Sequence, residues 1–281
     1  MDISTDGDRV HVITYYYTPN QGAAYLFAAL FGLAMIAHLV YMFPVRSWFF
    51  IPLIIGSTCE TFGYYGRAWA HDDPSNFKAY IMQLLLLLGA VPLVAATVYM
   101  TLARIIVSIG AEDRSMISPR WLTKIYVFID VVCFCSQMAG SGLQATGDDK
   151  IMRIGRNVIL AGLIFQLVAF VFFIFMAARV HSHVNKSPTS ASEEKTLKWR
   201  KRIWALYVAS SAVLLRSLAR SIEYAQGPRG TIAKHEVYLY VFDATMMLIV
   251  VAVFLVVHPG RLIRAAERHT YASMCGPQME S

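Results

Sequence analysis

The sequence predicts an all-α membrane protein: a bundle of seven transmembrane helices with its N-terminus outside and its C-terminus in the cytosol. Three observations carry this reading. Of 281 residues, 57% are apolar and only 15% charged, against about 25% charged in an average soluble domain, so much of the surface has to meet lipid. The apolar residues gather into seven runs, each near or above the roughly 20 residues that cross a hydrocarbon core. The basic residues fall unevenly between the two sets of connections joining those runs.

Residues 1–22 are polar and lack the basic segment and short apolar core of a cleavable signal. They form an extracellular tail, and the first run, 23–43, is its own insertion signal. The second run, 48–70, is bracketed by Trp48 and Trp69, a residue that favours the membrane–water interface. The third, 79–109, is long enough to extend past the membrane, and Pro92 near its middle is expected to kink it. The fourth, 121–143, and the sixth, 203–224, open near Trp121 and Trp204; the fifth is 158–178 and the seventh 237–258. The transmembrane domain is then 23–260, interrupted by a polar cytosolic loop at about 181–201 and followed by a cytosolic tail, 261–281.

Direction comes from lysine and arginine. Fourteen lie on one set of connections, mainly Arg114, Arg120, Lys124, Arg179 to Arg202 and Arg261 to Arg268, and seven on the alternate set. The richer side faces the cytosol. The sequon Asn185-Lys186-Ser187 is therefore cytosolic and unmodified. The pI near 9.2 would raise nucleic-acid binding in a soluble chain; basic residues spaced between apolar runs make orientation the better explanation. No GxxxxGK[ST] loop is present, so no nucleotide partner is expected. Cys59, Cys133, Cys135 and Cys275 show neither a loop-stapling arrangement nor a CxxC pattern. His38 and His258 lack a second histidine at ligand spacing, and no metal or other cofactor is expected.

The informative residues are ionisable ones inside the runs, each costing about 2.5–3.5 kcal/mol on insertion scales. Glu60 and Arg67 are seven apart on the second run, as are Asp130 and Gln137 on the fourth. Arg216, Arg220 and Glu223 follow i, i+4, i+7 on the sixth, and Glu236, Tyr240 and Asp243 do so on the seventh. Each set shares one helical face. The simplest packing points all four stripes inward, forming a polar cavity in the outer half of the membrane; structural ion pairing is the other reading. Arg104 lies near a cytosolic end and can snorkel. Gly56, Gly63 and Gly66, and Gly140 and Gly142, provide close helix packing beside the stripes.

The segments Glu60-Thr61-Phe62-Gly63-Tyr64-Tyr65-Gly66-Arg67, Gln137-Met138-Ala139-Gly140-Ser141-Gly142, Arg216 through Tyr224, and Glu236 through Asp243 together resemble the fungal RTA-like family of seven-helix lipid-translocating exporters. The likeness runs from about Tyr17 to Gly260 and includes His258-Pro259-Gly260. It implies a plasma-membrane protein of export or tolerance, with partners among amphipathic compounds such as sphingoid bases, toxic sterol analogues and porphyrins. The ligand-binding set is then Glu60, Tyr64, Arg67, Asp130, Gln137, Arg216, Arg220, Glu223, Glu236, Tyr240 and Asp243. Two other functions stay open: an intramembrane enzyme using Glu60 or Asp243 as general acid, and a seven-helix receptor or regulator.

Overall fold

The computed structural model describes residues 2–6, 9–13, 18–45, 47–74, 76–144, 146, 148–187, 199–227 and 230–257. Its helices are α1 (Gln21–Val45), α2 (Ile51–Trp69), α3 (Phe77–Ser108), α4 (Pro119–Gln144), α5 (Asp149–Lys186), α6 (Trp199–Gln226) and α7 (Glu236–Val256). Ahead of α1, β1 (Asp2–Asp6) and β2 (Arg9–Ile13) pair as an antiparallel hairpin. Its register sets Ile3 opposite Val12 and Thr5 opposite Val10. The fold is all-α as expected, and this short hairpin ahead of α1 is an addition that the polar composition of residues 1–22 does not announce.

Six of the seven helices, all except α2, are long and apolar enough to cross a membrane. Their outward faces are apolar: Leu33 is 66% exposed, Phe128 68% and Val168 61%. Such faces belong against lipid rather than water. Trp48, Trp69 and Trp121 sit exposed at or next to helix ends, and Trp204 is exposed in the second turn of α6.

Several boundaries differ from those read off hydropathy. α5 spans 38 residues where residues 158–178 were expected, about 57 Å at 1.5 Å per residue. Asp148 caps its start, accepting from the Lys150 and Ile151 amides at 2.8 and 3.3 Å. The expected 181–201 loop shrinks, because His181 to Lys186 complete α5 and α6 begins at Trp199. Hydropathy marks only the turns that lie in hydrocarbon; polar turns beyond them keep their i→i−4 bonds and stay helical. His258 lies outside the described residues. α3 is continuous through Pro92.

Each helix packs on the next, α7 closes the ring on α1, and α3 reaches across to α6. The crossing divides the interior. On one side, Phe27 and Phe31 of α1 stack with Tyr64 of α2 and Tyr240 of α7 at centroid distances of 5.4 to 6.2 Å. On the other, Tyr99 of α3, Tyr126 of α4 and Phe170 and Phe173 of α5 make a second aromatic group at 4.8 to 5.9 Å. Glycines bring backbones together at two seams. A Cβ on Gly63 would lie 2.6 Å from Leu87 of α3, and one on Gly155 of α5 would lie 2.6 Å from the Gly140 carbonyl oxygen of α4.

Candidate functional site

The α2 stripe is fully inside. Ser57, Glu60, Tyr64 and Arg67 are each at most 1% exposed. Arg67, at the end of the stripe, reaches α7: its Nη2 lies 2.7 Å from Glu236 Oε1, and its Nε donates to the Tyr240 hydroxyl at 3.2 Å. Glu236 also accepts the Asn20 backbone amide at 2.9 Å, and the Tyr240 hydroxyl donates to the Asn20 carbonyl at 3.3 Å. Asn20 in turn caps α1. This group clamps the ends of α1, α2 and α7 together.

One turn deeper, α6 meets α7. Asp243 forms ion pairs with Arg216 and Arg220 together, accepting a hydrogen bond from Arg220, which also pairs with Glu223 at 3.1 Å. Arg216 further donates to the Leu87 carbonyl of α3 at 3.4 Å. Asp243 and Tyr240 share a π-helical turn, Tyr240–Ala244, whose Tyr240 carbonyl accepts both the Thr245 amide and, at 2.8 Å, the Thr245 hydroxyl. Such turns occur often at functional sites. Glu60 is within electrostatic reach of Asp243, Arg216 and Arg220, yet among the described residues it makes no ion pair.

On the far side of α3 the polar residues form an amide relay. Gln137 of α4 donates to Gln166 of α5 at 3.2 Å, Gln166 donates to Asp130 at 3.0 Å, and Tyr99 lies beside the same carboxylate. Asp130 accepts the Gln166 amide nitrogen, which leaves the Gln166 oxygen to accept Gln137, so the two amides point the same way along the relay.

Between α3, α4, α5 and α6, with Arg67 reaching in from α2, lies a cavity of about 200 Å³. Its polar wall is Arg67, Gln83, Gln137, Gln166, Arg216, Ser217, Arg220 and Glu223; Leu84, Leu87, Leu88, Val91, Pro92, Phe134 and Leu163 supply most of the apolar wall. A second space of about 30 Å³ lies against Asp243, Arg216, Arg220 and Phe242, room for about one water. The larger cavity sits at the end of the bundle where α3, α5 and α7 begin and α2, α4 and α6 finish.

The family described as "RTA1 like protein" matches residues 53–266, from α2 past the end of α7. This chain belongs to the RTA1-like family. Among its relatives is Protein RTM1 of Saccharomyces cerevisiae, 38% identical over 75% of this chain and 68% of that protein. Protoporphyrin uptake protein 1 of the same yeast is 32% identical over 86% of this chain and 90% of its own length. A yeast protein named sphingoid long-chain base transporter RSB1 is 26% identical over 86% and 72%. No solved structure matches the chain. Membership and the apolar spans together make it a multi-pass membrane protein.

The stripes of this RTA1-like chain do turn inward, but they do not share one space. Arg67, Gln137, Arg216, Arg220 and Glu223 line the 200 Å³ cavity. Glu60, Tyr64, Asp130, Glu236, Tyr240 and Asp243 stand outside that lining. Arg216 pairs with Asp243. The polar wall also includes residues that the charged stripes did not flag: Gln83, Gln166 and Ser217. Gln166 carried a signal, being the only amide in the run 158–178. Arg104, expected to snorkel, lies over the Phe49 ring with its guanidinium carbon 4.3 Å from the centroid.

Proposed function

We propose that this chain is a seven-span translocator of the plasma membrane, N-terminus outside and C-terminus cytosolic, that moves an amphipathic lipid-like compound. α2 is the seventh span in this reading. Its 19 residues reach about 28 Å, near the roughly 30 Å of a hydrocarbon core, and its glycines and polar stripe lower its hydropathy without shortening it. The observation that carries the reading is the internal cavity itself, with arginines and a glutamate on one wall and leucine, valine and phenylalanine on the other.

That wall suits a head group with acceptor oxygens for Arg216 and Arg220 and a donor for Glu223. Gln137 and Arg67 complete the contact. Asp243, Glu236, Tyr240 and Asp130 hold these side chains from behind, and Glu60 and Tyr64 close the opposite compartment. A long-chain amino alcohol presents hydroxyls and an ammonium; a porphyrin presents carboxylates. Relatives named for a sphingoid base and for protoporphyrin support both classes. Pockets that enclose a whole drug-sized ligand are about 300–1,000 Å³, so a 200 Å³ space takes the head group and leaves the tail or ring to lipid.

Purified protein in proteoliposomes loaded with sphingosine, and separately with protoporphyrin IX, tests this. Movement of unaltered compound above protein-free vesicles is expected, with loss in Arg216→Gln. Recovery of a chemically changed product would replace translocation with catalysis by the buried acids, and saturable binding without movement would point to a receptor.

A further inference from the structure

Glu60 sits at the centre of α2, nine residues from Ile51 and nine from Trp69, so about 14 Å of helix lies on either side. It is 1% exposed and, among the described residues, its Oε1 has no hydrogen-bond partner. The Ser57 hydroxyl one turn earlier and the Tyr64 hydroxyl one turn later are equally buried and equally unpartnered. Three unmatched polar groups on one buried face are more than packing explains, because each costs free energy unless something binds it.

The surroundings fix the charge. The groups that reach Glu60 are Cys59 and Tyr64 on its own helix, Arg216 and Arg220 on α6 and Asp243 on α7. Among the described residues, α1 and α3, which also pack on α2, contribute none, and Tyr240 turns its hydroxyl to Asn20 and Arg67 instead. Asp243 takes both arginines and Glu223 takes Arg220 again. Two positive and two negative charges already balance. An ionised Glu60 would be a third acid with no cation of its own at mid-bilayer depth, and a buried carboxylate in that position neutralises itself by taking up a proton.

We propose that Glu60 is a proton-binding site, occupied in this conformation, whose proton is coupled to whatever engages Arg216 and Arg220 from the cavity. The two arginines face two ways, toward Asp243 and into the 200 Å³ space. A ligand oxygen that draws either arginine off Asp243 leaves acid charge less compensated beside Glu60, which then holds its proton more tightly. Linkage is reciprocal, so protonated Glu60 favours the ligand in turn. Proton and ligand bind together, and a pH gradient can drive the compound. The coupling rests on the cavity being a head-group site; the proton site does not.

Two measurements separate these. Infrared spectra of the full chain in lipid nanodiscs, wild type minus Glu60→Gln, should show a protonated carboxyl C=O band that shifts in D2O. No such band overturns the proton site. Glutamine is isosteric with the neutral acid, so Glu60→Gln should unfold at or above the wild-type temperature; collapse of the variant also overturns it. The second measurement follows a pH dye in weak buffer while protoporphyrin IX, a dicarboxylate, is added. Wild type should take up protons, Glu60→Gln should not, and wild-type affinity should weaken as pH rises while the variant's stays flat. Proton uptake undiminished in the variant, or release in the wild type, overturns the coupling. If the porphyrin does not bind at all, the head-group reading of the cavity fails with it, and the infrared band decides the proton site alone.

Discussion

Asp243 and Glu60 look alike in the sequence, two acids in two apolar runs, and the structure makes them opposites. Asp243 is the shared ion-pair partner of Arg216 and Arg220; among the described residues Glu60 has no cation of its own. Breaking a buried pair by removing one partner costs about 3–5 kcal/mol. Asp243→Ala strands two arginines, of which only Arg220 keeps an acid in Glu223. Thermal unfolding in detergent should therefore fall by an amount in that range for Asp243→Ala and stay unchanged for Glu60→Gln. Equal losses in both would mean that Glu60 is ionised and paired. The amide relay makes a second contrast. Gln166→Leu removes the donor to Asp130 and the acceptor of Gln137 at once, and each buried group left unsatisfied costs about 1–3 kcal/mol. Asp130→Asn keeps an acceptor for Gln166 and should cost less. The same unfolding assay checks the order; a reversal would show that the charge of Asp130, rather than the relay, carries the stability.

Helices and their inward faces were legible because lipid imposes a simple demand. Apolar length marks a span, and any polar residue in it needs a reason. Arg67, Asp130, Gln137 and Arg216 are buried as their spacing implied. What spacing could not give was which stripe meets which. The i, i+4, i+7 reading of Glu236, Tyr240 and Asp243 assumed a regular α-helix. The π-turn at Tyr240–Ala244 breaks that assumption beyond Tyr240: Glu236 and Tyr240 share Arg67 and Asn20, while Asp243 meets α6. Gln166 stands alone in its run, with no second polar residue at helical spacing to make a stripe, although an amide costs as much to bury unpartnered there as in one. Glycine spacing, by contrast, did anticipate a seam. At α4–α5 a Cβ on Gly140 would lie 2.7 Å from the Gly155 carbonyl oxygen, while one on Gly142 meets nothing within 4 Å. Backbone cannot step aside as a side chain can, so Gly140→Val should cost about 1–3 kcal/mol by overpacking and lower the unfolding temperature. Gly142→Ala, relieved of glycine's helix penalty of about 1 kcal/mol, should be neutral or stabilising. Equal behaviour of the two would mean that the α4–α5 seam is looser than its carbonyl contacts indicate.

The two ends of the bundle differ in kind. Arg114, Arg120, Lys124, Arg179, Lys186 and Arg200 to Arg202 gather at the end where α4 and α6 begin and α3 and α5 finish. Arg114 donates there to the Ser187 carbonyl, and Arg200 to the Asn185 side chain at 3.4 Å. The opposite end carries the side-chain caps Asn20, Asn76 and Asp148, the Arg67–Glu236 clamp and the cavity. If the basic end obeys the positive-inside rule, the cavity lies in the outer half of the membrane. Compound held there is nearer the outside than the cytosol, so direction of transport is tied to orientation. Glycosylation reads orientation directly. A sequon introduced among residues 14–17, ahead of Asn20, should be modified when the chain is expressed in a fungal host. Asn185, exposed near the end of α5 within its own sequon, should stay bare. The pair of sites is needed because a single unmodified site has two explanations, wrong side or poor access, whereas opposite outcomes at the two ends have one. Modification at Asn185 with none ahead of α1 would invert the molecule. The head-group cavity would then face the cytosol, and the same side chains would have to load compound from inside rather than hold it near the exit.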